Sequence, residues 1–223
     1  RSDTWVLNGN TTVAFRDSAN LTASGIRSWS RRVAPGAYLL RMEASAEHAS
    51  RAARSTGVID ATSNAATGLA THGFGLSDLL LTTAAAPRGA AARRWNELDI
   101  SATTGVIGRG SPLALVWENY DFGVRDGTAQ YEVVVTVAHQ KSVAGRIGAS
   151  IVGSLANITR IDHGEDRVTI SFERTVPHQP AFVDYVTLAM SDTPAGRYTV
   201  TLQVTDHVTG AVVTRTRGLV IRE

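Results

Sequence analysis

Apolar and polar residues alternate with a period of two along most of the chain, the pattern of a strand with one buried face. The cleanest stretch is Tyr198-Thr199-Val200-Thr201-Leu202-Gln203-Val204-Thr205. It points Tyr198, Val200, Leu202 and Val204 at a core and sends Thr199, Thr201, Gln203 and Thr205 to water. Threonine is β-branched and suits the exposed side of a strand. Asp206 to Gly210 reads as a turn, with Gly210 free to take positive φ, and Ala211 to Ile221 returns as the partner strand. Similar patterns cover Leu98 to Thr103, Leu113 to Asn119, Gln130 to His139, Ile147 to Leu155, Arg167 to Arg174 and Val183 to Met190. About eight strands separated by short turn segments predict an antiparallel sandwich.

The first part is less regular. Trp5-Val6-Leu7 and Thr12 to Phe15 flank Asn8-Gly9, a strong hairpin signal. Ala37 to Ser45 reads as a strand after the Pro35-Gly36 turn, with Arg51 to Ile59 as its partner, and residues 60 to 72 read as a loop. Two stretches could be helical on composition. Ala44 to Arg54 directly continues a strand, and Ala84 to Trp95 carries Pro87 and Gly89 near its start. Neither is read as a helix, and residues 84–96 are read as a linker.

An internal repeat sharpens the division. Pro35-Gly36-Ala37-Tyr38-Leu39-Leu40 parallels Pro194-Ala195-Gly196-Arg197-Tyr198-Thr199, and each runs through a turn into a strand ending Val58-Ile59 or Val220-Ile221. A Tyr opening a late strand is where sandwich folds place a tyrosine corner. The expected architecture is therefore all-β: two immunoglobulin-like antiparallel β-sandwich modules joined by a short linker. Residues 1–83 form the first, 84–96 the linker and 97–223 the second. Tyr38 and Tyr198 hold equivalent buried, structural places.

With 223 residues and 43% hydrophobic composition, a packed core is available and global disorder is excluded. The formal charge of +2 shows no polyanion-binding field. There is no cysteine, which removes disulfides, thiolate metal sites and cysteine nucleophiles. All basic residues but Lys141 are Arg, a bias typical of a GC-rich bacterial genome. The chain starts at Arg1 without an initiator Met, as a processed protein or part of a longer one would. No apolar run approaches the ~18–20 residues of a membrane span.

Pro194-Ala195-Gly196-Arg197-Tyr198, with Val204-Thr205-Asp206 and Thr209-Gly210, resembles the hairpin that closes many bacterial Ig-like domains. Gly75 to Leu81, then Pro112 to Tyr120, then that hairpin are similar in order and spacing to the C-terminal tails of bacterial GWxTD-domain proteins, over roughly residues 33–223. The Gly-Trp-x-Thr-Asp motif itself is absent from the chain. The resemblance implies an exported bacterial Ig-like protein and carries over no catalytic group.

Gly148-Ala149-Ser150-Ile151-Val152 lacks the second glycine of a nucleophile elbow and sits in a strand pattern. Asp162-His163-Gly164-Glu165-Asp166 is the densest metal-ligand group, yet reads as a solvated hairpin loop. Gly105, Gly108 and Gly110 surround Arg109 without a phosphate-binding Lys. The three N-x-T sequons at Asn10, Asn20 and Asn157 matter only in a glycosylating host. Two Arg/Trp groups, Trp29 with Arg31 and Arg32, and Arg93-Arg94 beside Trp95, fit protein contact better than nucleic acid.

The expectation is a non-catalytic, extracytoplasmic contact module, an accessory or structural subunit of a larger envelope or membrane complex. Its partners are other proteins, with no nucleic acid and no cofactor or metal. Contact candidates are Trp29, Arg31, Arg32, Phe74, Leu79, Arg93, Arg94 and Trp95. The alternative is the regulatory or carbohydrate-binding tail of an envelope enzyme whose catalytic domain lies outside this chain, with Trp117, Glu118 and Tyr120 on one sheet face.

Overall fold

The computed structural model describes residues 2–8, 13–19, 37–45, 52–60, 73–89, 97–103, 105–140, 147, 150–154, 158–164 and 166–223. The chain divides into two compact units, Arg1–His72 and Gly73–Glu223. All regular elements among the described residues are strands. Those of the first unit are β1 (Ser2–Asn8), β2 (Val13–Ala19), β3 (Ala37–Ser45) and β4 (Ala52–Asp60). They form one antiparallel sheet ordered β2-β1-β3-β4. The strands flanking Asn8-Gly9 do pair with each other, and β3 pairs with β4 along its length. Tyr38 is buried opposite Ile59. The described strands of this unit make that single sheet, so the two-sheet module expected for it is not seen among them.

The second unit is a sandwich. Its strands are β5 (Gly75–Leu76), β6 (Leu80–Pro87), β7 (Leu98–Ala102), β8 (Val106–Gly108), β9 (Leu113–Tyr120) and β10 (Thr128–His139), then β11 (Ser150–Ser154), β12 (Ile158–His163), β13 (Arg167–Pro177), β14 (Ala181–Ala189), β15 (Gly196–Asp206) and β16 (Val212–Arg222). One sheet runs β12-β13-β10-β15-β16-β8, and the facing sheet runs β11-β14-β9-β6-β7 with β5 beside β9. Pairing is antiparallel throughout, except where β8 lies parallel to β16. The eight strands read from the alternation in 98–223 are all present, several with shifted ends.

Alternation builds the core. Tyr131, Val133, Val135 and Val137 of β10 face Val168, Ile170 and Phe172 of β13 on one side and Val200, Leu202 and Val204 of β15 on the other, all essentially inaccessible to solvent. Trp117, Leu113 and Leu115 of β9 meet them from the second sheet. That second sheet is also apolar on its outer side, where Ala114, Val116, Val183, Tyr185, Ala85 and Leu98 form a smaller buried cluster.

Two expectations need correction. The linker assigned to 84–96 begins inside β6, which is hydrogen-bonded to both β9 and β7, and the unit boundary lies at His72/Gly73. The Thr82 to Ala86 run is so uniformly small that it carries little period-two signal, yet small residues pack well inside a sheet. The Asp162-His163 pair is not in a loop but ends β12. Glu165 lies outside the described residues, and no group of three or more potential metal-ligating side chains occurs among the described ones.

The tyrosine corner is present. Tyr198 is fully buried at the start of β15, and its hydroxyl donates to the Pro194 carbonyl at 2.7 Å. Burial pushes the pKa of this hydroxyl up, so it stays protonated and able to donate. Tyr198→Phe removes one hydrogen bond and is expected to lower stability by about 0.5–1.5 kcal/mol. Tyr198→Ala empties the ring's site and is expected to cost about 3–5 kcal/mol. Urea unfolding of the full chain measures both; a Phe variant as stable as the parent would show that the corner contributes nothing.

Candidate contact surface

Trp29, Arg31, Arg32, Arg93, Arg94 and Trp95 lie outside the described residues. Phe74 and Leu79 turn out to be packing residues. Leu79 is only 3% exposed, and Phe74 stacks on Phe122 with ring centroids 4.3 Å apart. Phe122 in turn stacks on Tyr131, so Phe74 extends an aromatic group that caps one end of the core.

Residues 73–79 form a strap along the side of the sandwich. Leu76 and Gly75 pair with Asn119 and Tyr120 of β9, and the Ser77 N–H donates to the Glu118 carbonyl at 2.9 Å. From the opposite sheet, Arg215 donates to the Leu76 and Ser77 carbonyls at 2.6 and 3.0 Å. Arg217 donates to the Leu79 carbonyl at 3.1 Å and pairs with Asp78 at 3.0 Å. These guanidiniums supply donors to backbone carbonyls of the strap.

Trp117, Glu118 and Tyr120 do not share a face. Trp117 points into the core and donates from its indole nitrogen to Asn119 Oδ1 at 3.0 Å, with no solvent exposure. Tyr120 lies on the other side and donates to Glu118 Oε2 at 2.7 Å. Desolvation, with the Glu118 carboxylate adding to it, raises the Tyr120 hydroxyl far above its ordinary value. Strand alternation alone separates residues 117 and 118, so the sugar platform expected from this trio does not form.

The buried polar groups have structural partners. Asp184, in the middle of β14, accepts from Tyr131 Oη at 2.9 Å and from Arg174 at 2.8 Å, linking the two sheets through the core. Burial pushes its carboxyl up, while the Arg174 guanidinium, the Tyr131 hydroxyl and the Tyr185 N–H oppose that. Asp206 closes the β15–β16 turn by accepting from Thr209 Oγ1 at 2.7 Å and the Val208 N–H at 2.9 Å. It also accepts from the Gly123 N–H at 2.8 Å, tying the neighbouring loop to this turn. A Cβ on Gly123 would meet Val208 and Thr209 side chains at 2.8 Å, which explains the glycine there. Gly210 takes the positive φ its place in the turn requires.

The outer face of the β10 sheet is half-buried to exposed among the described residues. Thr136 of β10 stands opposite Thr169 of β13 and Thr201 of β15, and Thr201 stands opposite Thr216 of β16. The Thr136 and Thr169 hydroxyls are 3.2 Å apart. The next row across the same strands is Ser171, Val134, Gln203 and Thr214. The result is an uncharged, largely hydroxyl-bearing face four strands wide. At one end of it Glu132 and Glu173 are directly opposed, a like-charge pair that is unfavourable in an isolated sheet. Beside them is a cleft of about 290 Å³ lined by Arg125, Gln130, Glu173, Thr175 and His207, together with the buried Tyr131 and Arg174.

No protein-family model matches this chain. No curated protein matches it either. Among solved structures it is similar to AvmM, which catalyzes macrocyclization in alchivemycin A biosynthesis, at 10% identity and a TM-score of 0.35 over 55% of this chain and 86% of that one. A cohesin module from a Clostridium perfringens family 33 glycoside hydrolase is 11% identical with a TM-score of 0.31, over 54% of this chain and 92% of its own. BcpA, the major pilin subunit of Bacillus cereus, is 10% identical with a TM-score of 0.27, over 99% of this chain and 63% of that one. At such identities and scores the likenesses assign the chain to no family.

The Asp206 hydrogen bonds give a pH dependence. Burial alone would raise this carboxyl, but the Thr209 hydroxyl and the N–H groups of Gly123, Val208 and Thr209 hold it below the ordinary carboxylate range. A depressed folded-state pKa contributes stability above the unfolded value of about 3.9, lost as pH falls through the folded value. Asp206→Asn is expected to cost about 1.5–3 kcal/mol at neutral pH. Urea midpoints of parent and variant should converge below about pH 3.9. A gap that stays constant down the pH range would place the effect in packing rather than charge.

Proposed function

We propose that the protein is a non-catalytic contact module, an accessory or structural subunit of a larger extracytoplasmic assembly, and that its second unit docks a partner protein through the outer face of the β10 sheet. The observation that carries this reading is the row Thr169-Thr136-Thr201-Thr216, lying across four hydrogen-bonded strands beside the row Ser171-Val134-Gln203-Thr214. Threonine on a strand is stiff at χ1, so little side-chain freedom is lost when a partner covers it. Each hydroxyl can donate or accept, which suits a polar interface. The opposed Glu132 and Glu173 at the end of the face favour a partner that brings a cation to that point. The resemblance of the closing hairpin to those of exported bacterial Ig-like domains supports the extracytoplasmic setting.

The candidate reactive groups have structural work that fits this reading. Asp184 joins the sheets, Asp206 closes a turn, and Glu118 holds Tyr120. Thr136→Arg and Thr201→Arg place bulk and charge on the face without touching the core. With the full chain in its native host, a photo-crosslinking side chain at Gln203 is expected to give a discrete adduct with one partner. Either Arg substitution is expected to weaken that association more than tenfold, about 1.4 kcal/mol, with an unchanged melting temperature. Association unaffected by both substitutions would remove the face from the interface. Substrate turnover abolished by changing Glu118 would overturn the non-catalytic reading.

A further inference from the structure

We infer that β12 is a homotypic docking edge, through which two copies of this chain pair antiparallel about a two-fold axis at Ile161. The inference is independent of the threonine face. Among the described residues β12 ends its sheet, hydrogen-bonded to β13 on one side only. Arg160, Ile161, Asp162 and His163 are all exposed. A strand edge with free N–H and C=O groups is a template for another strand, and proteins ordinarily blunt such an edge with charge.

Here the charges are of opposite sign and placed symmetrically about one residue. Arg160 and Asp162 point to the same side of the sheet, next to Ser171 and Thr169, and Ile161 lies between them on the other side. An antiparallel pair centred on Ile161 sets Arg160 of each copy opposite Asp162 of the other. Ile161, 37% exposed in the single chain, meets its own counterpart. Blunting by one sign of charge would repel a second copy; this arrangement attracts one, twice. Within one chain Arg160 and Asp162 approach only to 4.0 Å and stay 76% and 65% exposed, so both side chains are free to reach across. Among the other edges of this unit's described strands, β8 has three residues, β11 carries no charge, and Asp99 of β7 is already held by Arg88 at 2.6 Å. A single short edge buries less than a standard interface, so the pairing is weak and concentration-dependent.

Sedimentation velocity on the full chain, from micromolar to millimolar concentration, tests this. The parent is expected to shift from monomer toward dimer. Arg160→Asp leaves two acidic residues on the edge and Asp162→Arg leaves two basic ones, so each alone is expected to lose self-association more than about tenfold. Mixed one to one, the two variants are expected to form a heterodimer at parental strength. Thr201→Arg should leave dimerisation unchanged, separating this edge from the threonine face. A parent that stays monomeric, single variants that self-associate like the parent, or a mixture that fails to recover pairing would each overturn the assignment.

Discussion

The second unit depends on the apolar layer between its two sheets, and that layer would be open to water along one side without residues 73–79. Trp117, Tyr131, Phe172 and Tyr198 are fully buried in it, and large rings of this kind dominate core energetics. The strap over the open side has only two residues of regular pairing with β9. β16 turns Arg215 and Arg217 toward the strap's Leu76, Ser77 and Leu79 carbonyls. Those two arginines sit on the inward side of β16, in line with Leu219 and Ile221, where an apolar residue would be the ordinary choice. The exception follows from backbone chemistry: an irregular segment over a core needs donors, and a guanidinium supplies several in a fixed plane.

The same logic places the polar groups inside. Asp184 lies among Phe182, Val183, Tyr185 and Val186. An isolated carboxylate there would be very costly, so Arg174 and Tyr131 meet it from the facing sheet. Such a bridge adds little net stability over an apolar replacement, but it tolerates only one alignment of β13, β14 and β10.

Much of this was legible in the sequence, and the misses are instructive. The strands from β9 to β16 that alternate cleanly were readable because each has one wet face. Leu113 to Asn119 was legible as a strand but not as one buried on both sides, although the continuous apolar run Leu113 to Trp117 in β9 is so buried. The turn-Tyr order foretold the buried Tyr198. β6 was hidden because an Ala/Thr run has almost no amphipathic contrast. β12 was hidden because Arg160, Asp162 and His163 make an exposed edge strand look like a loop. The threonine row could not be found from one strand: Thr136, Thr169, Thr201 and Thr216 are far apart in sequence, and only the register of three strand pairs aligns them. The Arg174–Asp184 bridge had a signal, a lone acid inside an apolar strand, which demands a partner even when the sequence does not name it.

The face and the edge belong to one sheet, and this couples them. β12 borders β13, which carries Thr169 and Ser171 of the outer rows. Antiparallel pairing of two copies at β12 continues the sheet from one β8 to the other, and a two-fold axis normal to the sheet keeps both outer faces on the same side. The right-handed twist between neighbouring strands rotates the two faces apart by the accumulated angle across the junction. A partner with two matching surfaces, or two partners anchored in one assembly, would then bind with an effective concentration set by that fixed geometry rather than by a flexible tether. Weak self-association at a short edge and modest affinity at a polar face are each poor binders alone. Joined through a rigid sheet they reinforce each other without any new contact, which is the physical case for a contact module whose binding strength comes from assembly.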